Sequence, residues 1–292
     1  MSNGMMRLAL LLVLASAGWA ASADEIAGAL PDASRVVAVG GSVTEIFYAL
    51  GEQDRLVARD STSLFPEAAL ALPDIGYMRQ LSPESVLAVE PSAIIALEGS
   101  GPKEAVDVLK KAEVPYLTIP ERFDRDGILL KIRVIGQAIG AEGEAAALAD
   151  AVDKDLRAVE ASAAGVTQRK RVLFILSVQD GRILASGTGT AADGIIGLAG
   201  AINAVDGFRG YKPLSPEAIT VASPDFILMM MENTGAPTPS DEDLLSNPAI
   251  VSTPAAAGRH LIRMDGAYLL GFGPRTASAA RELAHALYGA AD

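Results

Sequence analysis

Leu81-Ser82-Pro83-Glu84-Ser85-Val86-Leu87-Ala88-Val89-Glu90-Pro91-Ser92-Ala93-Ile94-Ile95 returns as Leu214-Ser215-Pro216-Glu217-Ala218-Ile219-Thr220-Val221-Ala222-Ser223-Pro224-Asp225-Phe226-Ile227-Leu228, offset by 133 residues without a gap. A Gly-Tyr pair stands shortly before each copy, Gly76-Tyr77 and Gly210-Tyr211. Solenoid units recur every ~20–50 residues, so so long a period means two equivalent lobes, and two facing lobes make a cleft. Within each copy Ser then Pro marks a helix start, the serine capping and the proline taking the first helical position. Apolar runs follow as strands, Pro91 to Leu97 and Phe226 to Met231.

The flanking segments fit an α/β chain. Arg35-Val36-Val37-Ala38-Val39 reads as a buried parallel strand ending at Gly40-Gly41. Ser42 is expected to cap the next helix, with Glu45 as its capping-box partner. Leu56-Val57-Ala58 is a further strand, and Arg171 to Leu176 opens the second lobe, followed by a loop and a helix. Strands alternating with helices imply parallel sheets in two similar lobes. Glu142 to Ala164 is Ala-, Glu- and Leu-rich, with Leu148, Val152, Leu156 and Val159 at helical spacing. It predicts one backbone helix of about 35 Å, a stiff link that permits only small opening motions. The expected division is a leader at 1–23, lobes at 24–124 and 165–292, and a linking helical segment at 125–164.

Arg7, the apolar run Leu8 to Ala15 and Ala21-Ser22-Ala23 form an export signal, with cleavage expected between Ala23 and Asp24. The apolar core is shorter than the roughly 20 residues of a spanning helix. The chain has no cysteine, which removes disulfides, thiolate metal sites, Fe–S clusters and the lipid-anchoring residue of a lipoprotein. The expected compartment is a periplasm. A formal charge of −12 argues against nucleic acid or anionic membrane as partner. About 270 mature residues suffice for two domains, each with its own core.

Gly40-Gly41-Ser42-Val43-Thr44-Glu45, Gly76-Tyr77-Met78-Arg79-Gln80-Leu81-Ser82-Pro83-Glu84, Thr190-Ala191-Ala192-Asp193 and Gly271-Phe272-Gly273-Pro274-Arg275-Thr276 resemble the helical-backbone periplasmic binding proteins that serve siderophore, cobalamin and haem importers, the haem carriers above all. The resemblance runs from Arg35 to about Tyr288. It implies a monomeric carrier that takes haem b, with an outer-membrane haem receptor as a possible source. The carrier hands haem to an inner-membrane ABC permease and its ATPase, and does no covalent chemistry.

The same resemblance makes Tyr77 the axial ligand of haem iron. Phenolate is a hard donor suited to Fe(III), and tyrosine serves as an axial ligand elsewhere. Arg79, two residues on in an extended loop, shares its face and can bond the phenolate or pair with a propionate. Tyr211 and Lys212, the mirror loop, either stack on the porphyrin and meet a propionate or merely echo the duplication. Arg275 is either a pocket-rim cation or a structural arginine. Glu84 and Glu217 occupy one repeat position and, by resemblance, engage permease arginines; both also suit the first turn of their helices. Some relatives place a histidine after the first strand of the second lobe for a second haem. Leu176-Ser177-Val178-Gln179 has none, so one haem, or a second without that ligand, is expected.

A ferric siderophore or cobalamin carrier of the same fold is the nearer alternative, although the pocket shows only one clear Tyr-Arg loop. A secreted dinucleotide enzyme, suggested by Gly187-Thr188-Gly189-Thr190-Ala191-Ala192, is remote because isolated glycine motifs are weak signals. Met229-Met230-Met231 alternates faces on a strand, which suits burial better than copper. His260 and His285 are the only histidines, too few for a zinc carrier.

Overall fold

The computed structural model describes residues 28–179, 181–231 and 239–289. The leader expected at 1–23 and the start at Asp24 lie outside the described residues.

The first lobe runs β1 (Val36–Val39), α1 (Gly41–Ala49), β2 (Leu56–Arg59), α2 (Pro83–Leu87), β3 (Ala93–Leu97), α3 (Lys103–Lys111) and β4 (Tyr116–Ile119). Its sheet has the order β2-β1-β3-β4, all parallel. β1 and β3 are buried throughout because they are apolar on both faces. The expected capping box at Ser42 does not form. The N-cap of α1 is Gly40, whose N–H donates to Asp60 Oδ1 at 2.8 Å, while Ser42 and Glu45 turn inward to partners from other segments.

The link at 125–164 holds the expected long helix and, before it, a second helix packed against it as a hairpin. α4 (Arg125–Ile139) is capped by Asp124, whose carboxylate accepts from Gly127 N at 2.7 Å, and ends at a left-handed Gly140. α5 (Glu142–Ala164) has the expected bounds. Arg125 at the start of α4 pairs with Asp153 and Glu160 of α5, and Gly136 near its end meets Ala145 near the start of α5, so the helices run antiparallel. α4 packs on α1 and β4, and α5 on second-lobe helices.

The second lobe comprises β5 (Arg171–Gln179), β6 (Arg182–Ser186), α6 (Ala191–Leu198), β7 (Ile202–Asn203), β8 (Tyr211–Leu214), α7 (Pro216–Ala222), β9 (Phe226–Met231), α8 (Asp241–Leu245), α9 (Pro254–Ala257), β10 (Leu261–Asp265), α10 (Gly266–Leu270) and α11 (Thr276–Tyr288). The repeat is exact in register: Ala93 pairs with Val36 and its equivalent Phe226 with Val172. The parallel set β5-β9-β10 thus copies β1-β3-β4, and β7 lies parallel to the start of β5 as β2 does to β1. The expectation of a purely parallel sheet is corrected. β5 folds back into antiparallel β6, which pairs with antiparallel β8, so this sheet is mixed.

The expectation of a separate core per lobe is also corrected. One apolar cluster runs from Phe47 and Ile95 through Ile128, Ile132, Ile135, Leu156 and Val159 to Phe174, Ile195 and Leu283. Each such side chain contributes about 1.5–3 kcal/mol on burial. Smaller clusters cover the outer faces of the two sheets, around Ile94 and around Ile227.

Candidate functional site

Gly76 and Gly210 adopt left-handed backbone, with φ of 96° and 82°, a conformation glycine enters without steric cost. The duplicated turn therefore presents a tyrosine in each lobe, and the two tyrosines differ. Tyr77 is 42% exposed, and its loop is stapled beneath it. Ser61 N donates to Gly76 O at 3.0 Å, Gly101 N to Met78 O at 2.9 Å and Gln80 N to Tyr77 O at 2.8 Å. Asp60 holds the neighbouring turn: its carboxylate accepts from Gly40 N, Thr62 N, Thr62 Oγ1 and Ser63 Oγ. The phenol of Tyr77 therefore stands exposed above a hydrogen-bonded base.

Tyr211 is half-buried, its ring edge-on to Phe174 with centroids 6.4 Å apart. Burial pushes its phenol up, while the Thr190 hydroxyl, the Arg79 charge and the Ala192 backbone act the other way. Arg79 is exposed. Lys212 is exposed as well, with Nζ 5.3 Å from the centre of the Phe208 ring. The structure thus places Tyr77 and Arg79 on the loop before α2, and Tyr211 and Lys212 on β8 of the other lobe.

Arg275 is differently placed. Its Nε donates to Glu45 Oε2 at 2.9 Å and its backbone N to Glu45 Oε1 at 3.1 Å. Its guanidinium lies 3.6 Å from the centre of the Phe65 ring and 5.2 Å from that of Tyr268. It is therefore partnered at the lobe seam, with only 28% of its side chain exposed. Gly273 packs against Ser42 and Glu45, so the Gly40-to-Glu45 and Gly271-to-Thr276 motifs, distant in sequence, are two sides of one contact.

Beside them sits Lys131 of α4, with 0% of its side chain exposed. Nζ donates to Glu121 Oε1 at 2.6 Å, Ser42 Oγ at 3.0 Å and the Phe272 carbonyl at 3.2 Å. Burial lowers the Lys131 amine, opposed by Glu121 and Glu45. Burial raises the Glu121 carboxyl, opposed chiefly by Lys131 and, more weakly, by Arg79. Burial likewise raises Glu45 against the pull of Arg275. Sequence reasoning missed Lys131 and Glu121. The available signal was a lone lysine at helical spacing from Ile128 and Ile135 on an apolar face.

Glu84 and Glu217 are exposed on α2 and α7. The caps beneath them are real: Ser85 N donates to Ser82 Oγ and Ala218 N to Ser215 Oγ. The Glu217 carboxyl is held low by its own backbone N–H and by the Ser215 hydroxyl. The glycine loop at 187–190 is covered, since a side chain at Gly187 would strike Phe208 and one at Gly189 the Arg209 guanidinium. Thr190 caps α6 through Asp193 N at 3.0 Å. His260 stacks on Phe226 at 4.6 Å. Met229 is buried, and among the described residues no group of three or more His, Asp or Glu converges as a metal site. Concavities of about 340 Å³ beside Arg125 and about 380 Å³ beside Arg35 lie away from both tyrosines.

A family model described as periplasmic binding protein matches residues 36–268. The periplasmic heme-binding protein BhuT, in complex with two hemes, is 38% identical with a TM-score of 0.81, covering 87% of this chain and 97% of that one. The periplasmic heme-binding protein RhuT from Roseiflexus sp. RS-1, in apo form, is 36% identical with a TM-score of 0.82, covering 88% and 98%. YvrC of Bacillus subtilis (strain 168), an uncharacterized ABC transporter substrate-binding lipoprotein, is 27% identical over 197 residues, 66% of this chain. The chain spans 62% of the length of YvrC.

Proposed function

Because the chain belongs to the periplasmic binding protein family, we propose that it is an exported haem carrier that delivers its cargo to an inner-membrane ABC importer. The observation that carries this reading is the inequality of the duplicated tyrosines. Tyr77 offers an exposed phenol on a fixed loop, whereas Tyr211 is packed on Phe174. Haem b, as the transported ligand, lies edge-in between the lobes with its Fe(III) bound by Tyr77. Arg79 supplies the cation that favours phenolate or pairs with a propionate. Tyr211 and Lys212 line the opposing side. Arg275, paired with Glu45, reaches the ligand only with its exposed edge. The similarity to BhuT and RhuT, named as heme-binding, supports haem over a siderophore or cobalamin.

Glu84 and Glu217, exposed and equivalent in the repeat, are the docking carboxylates, one for each half of the permease. The lobe limits at 124 and 165, the cleavage after Ala23 and a monomeric carrier belong to the same reading. One haem per chain is proposed, although BhuT is described with two. Hemin titrated into the purified protein tests this reading: a one-to-one endpoint with a high-spin ferric spectrum supports it. Binding of a ferric siderophore or cobalamin but not hemin overturns it.

A further inference from the structure

Apart from the exposed edge of Arg275, the charges at the lobe seam are turned to one another, and two of them, Lys131 and Glu45, are buried. Lys131 comes from the linking hairpin, Ser42 and Glu45 from α1, Glu121 from the loop after β4, and Phe272 and Arg275 from the second lobe. The three Nζ–H groups of Lys131 find three acceptors, one of which belongs to the second lobe. Glu45, 8% exposed, takes two bonds from Arg275. Phe65 on one side and Tyr268 on the other close over that guanidinium. No buried side-chain polar atom of the described residues is left without a partner.

Burying an ion costs several kcal/mol unless its partners hold their geometry, and replacing such a pair with apolar groups is often neutral for stability. A cluster of this kind is thus a poor source of net stability but a strict source of register. Relative motion is the default for domains that share an ordinary interface. Here a shift of the second lobe would withdraw the Phe272 carbonyl from one Lys131 N–H and Arg275 from Glu45, leaving a buried donor unsatisfied and the buried Glu45 carboxylate without its guanidinium.

We propose that the Lys131-to-Phe272 bond, with Lys131 held in place by Glu121, and the Glu45–Arg275 pair form a latch that fixes the angle between the lobes, so that the width of the cleft is set before any ligand arrives. The linking hairpin alone does not set it, because the latch closes only through the Phe272 carbonyl and Arg275 of the second lobe. This latch does not depend on the identity of the ligand, so it stands or falls apart from the haem reading.

The absence of cysteine allows clean labelling. Val108→Cys in the first lobe and Val221→Cys in the second, at positions 52% and 84% exposed, take spin labels for a distance measurement between lobes. With the latch intact the expected result is one narrow distribution in the ligand-free protein. Glu45→Gln keeps shape and removes charge; Lys131→Met removes the ammonium. Variants that retain a cooperative melt should show a broadened or displaced distribution. A folded variant of either kind with the unchanged narrow distribution overturns the proposal, as does a broad distribution in the unsubstituted protein. If Lys131→Met fails to fold, Glu45→Gln alone decides.

Discussion

Tyr77 and Tyr211 share an ancestral turn, but their surroundings give them different chemistry. Replacing the Tyr211 hydroxyl (Tyr211→Phe) removes the polar link to Thr190 and leaves the ring on Phe174. It should leave the hemin spectrum intact and cost about 1 kcal/mol of stability, read by urea unfolding. Arg79→Ala removes a charge from the ligand loop and should weaken hemin affinity by roughly tenfold, the size of one charge-assisted hydrogen bond, read by titration. At this scale the sequence was partly legible. The resemblance and metal chemistry single out Tyr77 and Arg79, and the structure leaves both exposed on one short loop. Lys131 and Glu121 were not legible, because their partnership joins a helix, a loop and the carbonyl of Phe272, 141 residues further on. Arg275 was half legible: the sequence leaves open a pocket-rim cation or a structural arginine, and the structure pairs it with Glu45, a residue the sequence reads as a helix cap.

Among the elements, the α4–α5 hairpin carries the strongest packing constraint. A methyl group at Gly136 would lie 2.1 Å from Ala145 Cβ, so Gly136→Ala must push the helices apart. Despite the better helix propensity of alanine, it should destabilise by about 1–3 kcal/mol, seen as a lower urea midpoint with unchanged slope. On the outside of the hairpin, Arg157 and Arg125 hold the Asp153 carboxyl below its usual value of 3.8. A depressed folded pKa contributes stability above the unfolded value and loses it as pH falls through the folded one. Asp153→Asn should therefore lower the melting temperature modestly at pH 7, and the gap should close as pH falls below 3.8. The bounds of α5 were legible because twenty-three residues without proline carry one apolar stripe. The β5–β6 hairpin was not legible, because its turn interrupts an apolar run that otherwise looks like the central strand of a parallel sheet.

Across the molecule, the 133-residue repeat disclosed the two-lobed architecture, and its register in both sheets shows why: each copy is a complete helix–strand unit occupying the same place beside a central strand. What the repeat concealed was the shared core and the seam, since the seam lies outside it and the core draws mostly on α1, α4, α5, α6 and α11. Glu84 and Glu217 belong to this scale. Both are exposed, so Glu84→Ala and Glu217→Ala should leave hemin binding and the melting temperature essentially unchanged while reducing hemin uptake through the importer, the double substitution most of all. The central claim is that a single phenol of the first lobe binds the iron. Its most direct test is the absorption spectrum of the hemin-loaded protein beside that of Tyr77→Ala. The account predicts a high-spin ferric spectrum with a phenolate charge-transfer band that the substitution abolishes; an identical spectrum in the substituted protein would contradict it.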